Sequence, residues 1–183
     1  MKASIVNISK WIKEYLASGQ ANNVLNRKLS DKLIHRLQCD RKDENGVNIS
    51  KKWLEHINKN LSKFDNLTDF ESILDCVKEL AVGFYGIGEL TIYDTATCIG
   101  CPKNIHPSVV YIHAGTKKGA KALGIIGSKT AEKDVFVGLC ADFNKLEPAQ
   151  IEDFLCIYAP NLNGEIEECN KKSCNETSGC CSR

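Results

Sequence analysis

The sequence predicts a mainly α-helical protein, a single-domain helical bundle carrying at most a small two-stranded β element. Three observations predict it. Apolar residues recur at three- and four-residue spacing from Ile5 to Phe84, the remaining apolar runs are short and bounded by polar turns, and 43% hydrophobic content over 183 residues suffices to close one core.

The elements follow in order. Ile5, Ile8, Ile12, Tyr15 and Leu16 form the apolar stripe of a first helix, with Gly19 as its stop. Val24, Leu25, Leu29, Leu33, Ile34 and Leu37 repeat the spacing in a second, and the polar stretch Asp40 to Asn48 reads as a loop. Trp53, Leu54, Ile57, Leu61 and Phe64 mark a third. Thr68-Asp69-Phe70-Glu71 has capping-box spacing, so a fourth helix is expected to start at a Thr68 cap and bury Phe70, Ile73, Leu74, Val77, Leu80 and Phe84. Glu89 to Ile99 is a fifth. Ser108 to His113 fits either a strand or a helical turn, Thr116 to Leu123 a helix capped by Thr116 and stopped by Gly124, and Asp134 to Leu139 a second strand. Pro148 suits the first turn of a last helix ending before Pro160. These elements make up a helical domain over residues 1–160. Residues 161–183 are polar and cysteine-rich with little to bury, and are expected to be disordered.

Composition narrows the function. The stretch Leu80 to Tyr85 is far shorter than the roughly 20 apolar residues of a membrane span, so no membrane partner is expected. Lys10, Lys13 and Glu14 interrupt the N-terminus before an apolar signal region develops, and a cytoplasmic protein is expected. In a reducing compartment the ten cysteines are read as thiols and core residues rather than disulfides. The net charge of +1 gives no global attraction to a polyanion. Its distribution is uneven: Thr95 to Ala131 contains no acid but holds Lys103, Lys117, Lys118, Lys121 and Lys129, whereas Asp142 to Glu168 is acidic apart from Lys145.

Two glycine turns stand next to helix starts, where unpaired amides attract anions. One is Gly86-Ile87-Gly88. The other is Gly115-Thr116-Lys117-Lys118-Gly119-Ala120-Lys121, which adds a hydroxyl and three lysines. Phosphate contacts are therefore expected at Gly86, Gly88, Thr116, Lys117, Lys118 and Lys121. Asp94, the only acid between Leu90 and Ala131, and His113, immediately before the lysine turn, are the candidate acid/base groups.

Tyr85-Gly86-Ile87-Gly88, with Thr91 five residues after the first glycine, resembles a helix-hairpin-helix element. Ile92 and Thr95 stand where that family has alanine and an aliphatic residue, and Glu89 puts a negative charge beside the expected phosphate. The resemblance implies DNA as partner, held through backbone amides that contact a phosphate without reading sequence. Such elements also occur in helix-hairpin-helix base-excision glycosylases, so the resemblance extends distantly to a hydrolase of the N-glycosidic bond acting on a flipped base. No catalytic residue carries over from them, and Asp94 rests on its own chemistry.

Cys98-Ile99-Gly100-Cys101 has metal-ligand spacing, and zinc at Cys98, Cys101, His106 and His113 would need the loop to fold back. The expectation is no cofactor, because a single C-x-x-C lacks the second pair that structural zinc sites use. The alternatives to DNA binding are a protein or enzyme for a small phosphorylated ligand such as a nucleotide, and a metal-binding or purely structural helical interaction protein.

Overall fold

The computed structural model describes residues 4–27, 46 and 48–164. It is mainly α-helical, with one two-stranded antiparallel sheet among the described residues. Contacts group the chain into two compact units, one comprising Asn26–Pro107 and the other Met1–Leu25 with Ser108–Arg183.

The central unit contains α3 (Ile49–Lys59), α4 (Phe70–Ala81) and α5 (Glu89–Gly100). α4 and α5 pack along their length, with Phe70 against Tyr93 edge-on at 5.7 Å. Trp53 is fully enclosed and meets Phe84 edge-on at 5.3 Å. An enclosed indole needs an acceptor for its N–H. Thr95 is that acceptor: Trp53 Nε1 donates to its Oγ1 at 2.9 Å, and the hydroxyl donates onward to the Thr91 carbonyl at 2.7 Å. This bond is the physical reason for a hydroxyl at position 95.

The cap of α4 falls one residue later than expected. Asp69, not Thr68, accepts from the Ser72 amide at 2.8 Å and from its hydroxyl at 2.7 Å. A carboxylate opposes the helix dipole as well as capping it, and the Ser72 donors hold the Asp69 carboxyl below the usual carboxylate range.

The second unit contains α1 (Ile5–Ala17), α2 (Gln20–Leu25), β1 (Val110–Tyr111), α6 (Thr116–Ala122), β2 (Thr130–Ala131), α7 (Lys133–Leu139), α8 (Pro148–Ile157) and α9 (Ala159–Leu162). β1 and β2 pair with Val110 opposite Ala131 and Tyr111 opposite Thr130. The run at 134–139, expected as a strand, is helical. Asp134 sits in the first turn of α7, and only Phe136 of its side chains is buried while Val135 is exposed, so the alternation seen in sequence is a helix with one anchoring residue. Gly115 rather than Thr116 occupies the cap position of α6, and Gly124 follows that helix at φ +87°.

α8 is the centre of this unit. It packs on α6, α2, β1 and α9, and every residue from Pro148 to Leu155 is buried. Phe154 meets Tyr15 at 5.9 Å and Phe143 at 5.5 Å, both edge-on. Pro148 starts the helix as expected, and Gln150 reaches back to accept from the Glu147 amide at 2.8 Å. The chain stays helical past Pro160. Asn161 and Leu162 are buried in α9, inside the span expected to be a tail; residues 165–183 of that span, and residues 28–45 of the expected second helix and loop, lie outside the described residues.

α6 approaches α8 through Gly119. A Cβ there would stand 2.3 Å from the Leu155 carbonyl oxygen, a backbone atom that cannot swing away. Gly119→Ala is therefore expected to lower stability by about 2–3 kcal/mol through overpacking, read as a lower urea midpoint. An unchanged midpoint would show that the two helices do not touch there.

Candidate functional site

The Gly86–Gly88 turn is exposed. Val82 and Tyr85 beside it are 83% and 84% accessible, and both Gly83 and Gly86 adopt positive φ. Gly86 is favoured by φ +85°, and a Cβ there would sit 3.0 Å from the end of the Ile49 side chain. Gly88 differs. It caps α5 at φ −106°, ψ 178°, a conformation open to any residue, and nothing lies within 4 Å of where its Cβ would be. Neither backbone geometry nor packing demands glycine there, so its consequence is a twelve-residue helix whose start carries no side-chain cap.

Asp94 is taken up within the same unit. It is buried and pairs with the buried Arg27 guanidinium at 3.4 Å. Its carboxylate thus neutralises a cation rather than facing a groove, and carboxylate and guanidinium each relieve the other's desolvation. Cys98 and Cys101 are buried, and burial pushes the Cys101 thiol up, away from the thiolate that redox exchange or metal binding requires. His106 Nε2 lies 3.3 Å from Asn104 Oδ1. Among the described residues no group of three or more His, Cys, Asp or Glu side chains is arranged to hold a metal ion.

The lysine turn belongs to the other unit. Lys117, Lys118 and Lys121 are exposed, but Thr116 is fully buried. Its Oγ1 accepts from the His113 amide at 3.0 Å and lies 3.1 Å from the His113 carbonyl, so this hydroxyl braces its own loop instead of facing a ligand. The two glycine turns, and likewise Asp94 and His113, fall in separate compact units.

His113 has partners that the sequence reading did not assign. Its Nε2 lies 2.8 Å from Glu152 Oε1, with both side chains more than nine-tenths buried. Glu152 projects from α8, and one turn further along the same face stands Cys156. The Cys156 sulfur comes within 3.0 Å, and His113 Nδ1 within 3.9 Å, of the position that a Cβ on Gly115 would take. Gly115 has ordinary helical angles, φ −68° and ψ −49°, so glycine serves clearance here, not backbone freedom. The signal available in sequence was Glu152-Asp153 set between Ile151 and Phe154-Leu155, two carboxylates interrupting an otherwise apolar helix.

Comparison with protein-family models, curated proteins and solved structures returns no match to this chain.

Asp94→Ala should cost about 3–5 kcal/mol in chemical denaturation, because it leaves the Arg27 charge buried without its carboxylate. The double variant Arg27→Met/Asp94→Leu should recover most of that loss. If Asp94→Ala is as stable as the parent, the pair is not what holds Arg27 inside.

Proposed function

We propose that the protein binds DNA through the sugar-phosphate backbone at the start of α5, without reading base sequence. The observation that carries this reading is Gly88: the structure gives no packing or dihedral reason for glycine at that cap, and a bare helix start lets a phosphate oxygen reach the first-turn amides. Gly86 supports it by turning the chain sharply ahead of the helix. In the other compact unit, the exposed Lys117, Lys118 and Lys121 offer cations for non-specific attraction of their own, while Thr116 is left out because its hydroxyl is engaged internally. The reading stops at binding. Asp94 is engaged by Arg27, so base excision is not part of the proposal.

Fluorescence anisotropy with a short duplex across a salt series tests it. Binding is expected at low salt, with log K falling linearly against log salt. Gly88→Leu, whose Cβ would meet no atom within 4 Å, is expected to cost no more than the roughly 1 kcal/mol of a poorer helix cap while weakening binding about tenfold. Absence of binding at low salt, or a Gly88→Leu variant that binds like the parent, removes the proposal.

A further inference from the structure

We infer that Cys156, His113 and Glu152 form a thiol acyl-transfer site, with Cys156 as nucleophile, His113 as its base and Glu152 as a positioning residue. The substrate class is a compound with an electrophilic acyl carbon, an ester, thioester or amide. Three independent placements converge on it. The first is the buried contact between His113 Nε2 and Glu152 Oε1 at 2.8 Å, which sets a carboxylate against one ring nitrogen while the other, Nδ1, borders Gly115. The second is the helical register that sets Cys156 one turn beyond Glu152, on the face that meets His113. The third is Gly115. The thiol and Nδ1 both border the volume that a side chain at this position would fill, at 3.0 Å and 3.9 Å from its Cβ position.

Exposure suits the assignment. Cys156 and Gly115 are half-buried and Ala114 is exposed, whereas the His113 and Glu152 side chains are almost wholly enclosed. A nucleophile must meet its substrate, and a base and its carboxylate gain from a site that excludes water. Of the other described cysteines, Cys98, Cys101 and Cys140 are buried, and the half-buried Cys76 lies in the other compact unit.

The chemistry balances without an oxidant, metal or second substrate other than water. The Cys156 thiol gives its proton to His113 Nδ1 as the sulfur lone pair forms a C–S bond to the acyl carbon. The bond from that carbon to the leaving oxygen, sulfur or nitrogen then breaks with its electron pair, and the leaving atom takes the proton from His113. Water next loses a proton to Nδ1 and attacks the acyl-thioester carbon. The new C–O bond forms, the C–S bond breaks with its pair returning to sulfur, and His113 returns the proton to the thiolate.

The test uses the full chain. Substoichiometric iodoacetamide near neutral pH, followed by peptide mass spectrometry, ranks all the cysteines. Cys156 is expected to react first, at least tenfold faster than a cysteine in an unstructured peptide. Incubation with p-nitrophenyl acetate is expected to leave one acetyl group on Cys156. His113→Gln should abolish the acetyl adduct, and Glu152→Gln should lower kcat for the ester about tenfold at unchanged KM while the thermal midpoint stays near the parent's. The parent's ranking and adduct need no variant, so a variant that fails to fold does not blunt the test. Cys156 reacting no faster than the peptide, an acetyl group elsewhere, or an adduct that survives His113→Gln overturns the assignment.

Discussion

The enclosure of α8 is the constraint on which its compact unit depends. A helix buried all round for its first eight residues would ordinarily be apolar, yet this one carries Gln150, Glu152 and Asp153 inside. Each must therefore find a partner from another element. Gln150 donates to the Ala21 carbonyl at 2.9 Å, Asp153 accepts from the Tyr15 hydroxyl at 3.1 Å, and Glu152 meets His113. These contacts tie α2, α1 and the loop before α6 to one rod. The directional bonds of Gln150 and Asp153 fix rotation and register in a way that Phe154 and Leu155 alone would not. The close approach of α6 at Gly119 then brings the His113 loop against the face that carries Glu152 and Cys156.

The central unit solves the same problem with fewer polar groups. Arg27 and Asp94 neutralise each other, and Trp53 spends its one donor on Thr95. Both pairs join residues far apart in sequence, and the first gives Asp94, a candidate acid/base group by sequence, a structural role. The exposed start of α5 is left as the feature that packing does not explain.

Periodicity made most helices legible, because Ile8, Ile12 and Tyr15, or Ile73, Val77 and Leu80, bury the stripe that spacing indicates. Legibility failed where the signal was local and brief. Six residues around Phe136 cannot announce whether one side chain or alternate ones face the core, and Thr68-Glu71 matched a capping pattern that the neighbouring Asp69 fulfils more strongly. Pro160 has the local signature of a terminator, but proline is equally at home in the first turn of the next helix. For the sites, His113 stood out by its own chemistry. Its partners did not, since Glu152 and Cys156 lie about forty residues downstream and only the packing of α6 on α8 brings them back.

The tautomer and mobility of the His113 ring report most directly on whether α8 organises this unit through its buried polar groups. In a 15N-labelled sample at pH 8, imidazole correlations are expected to show a proton fixed on Nε2, slow to exchange with solvent, and a bare Nδ1. A ring protonated on Nδ1, or one averaging between tautomers with rapid solvent exchange, would mean that Glu152 does not hold His113 and that the polar residues of α8 are satisfied in some other way.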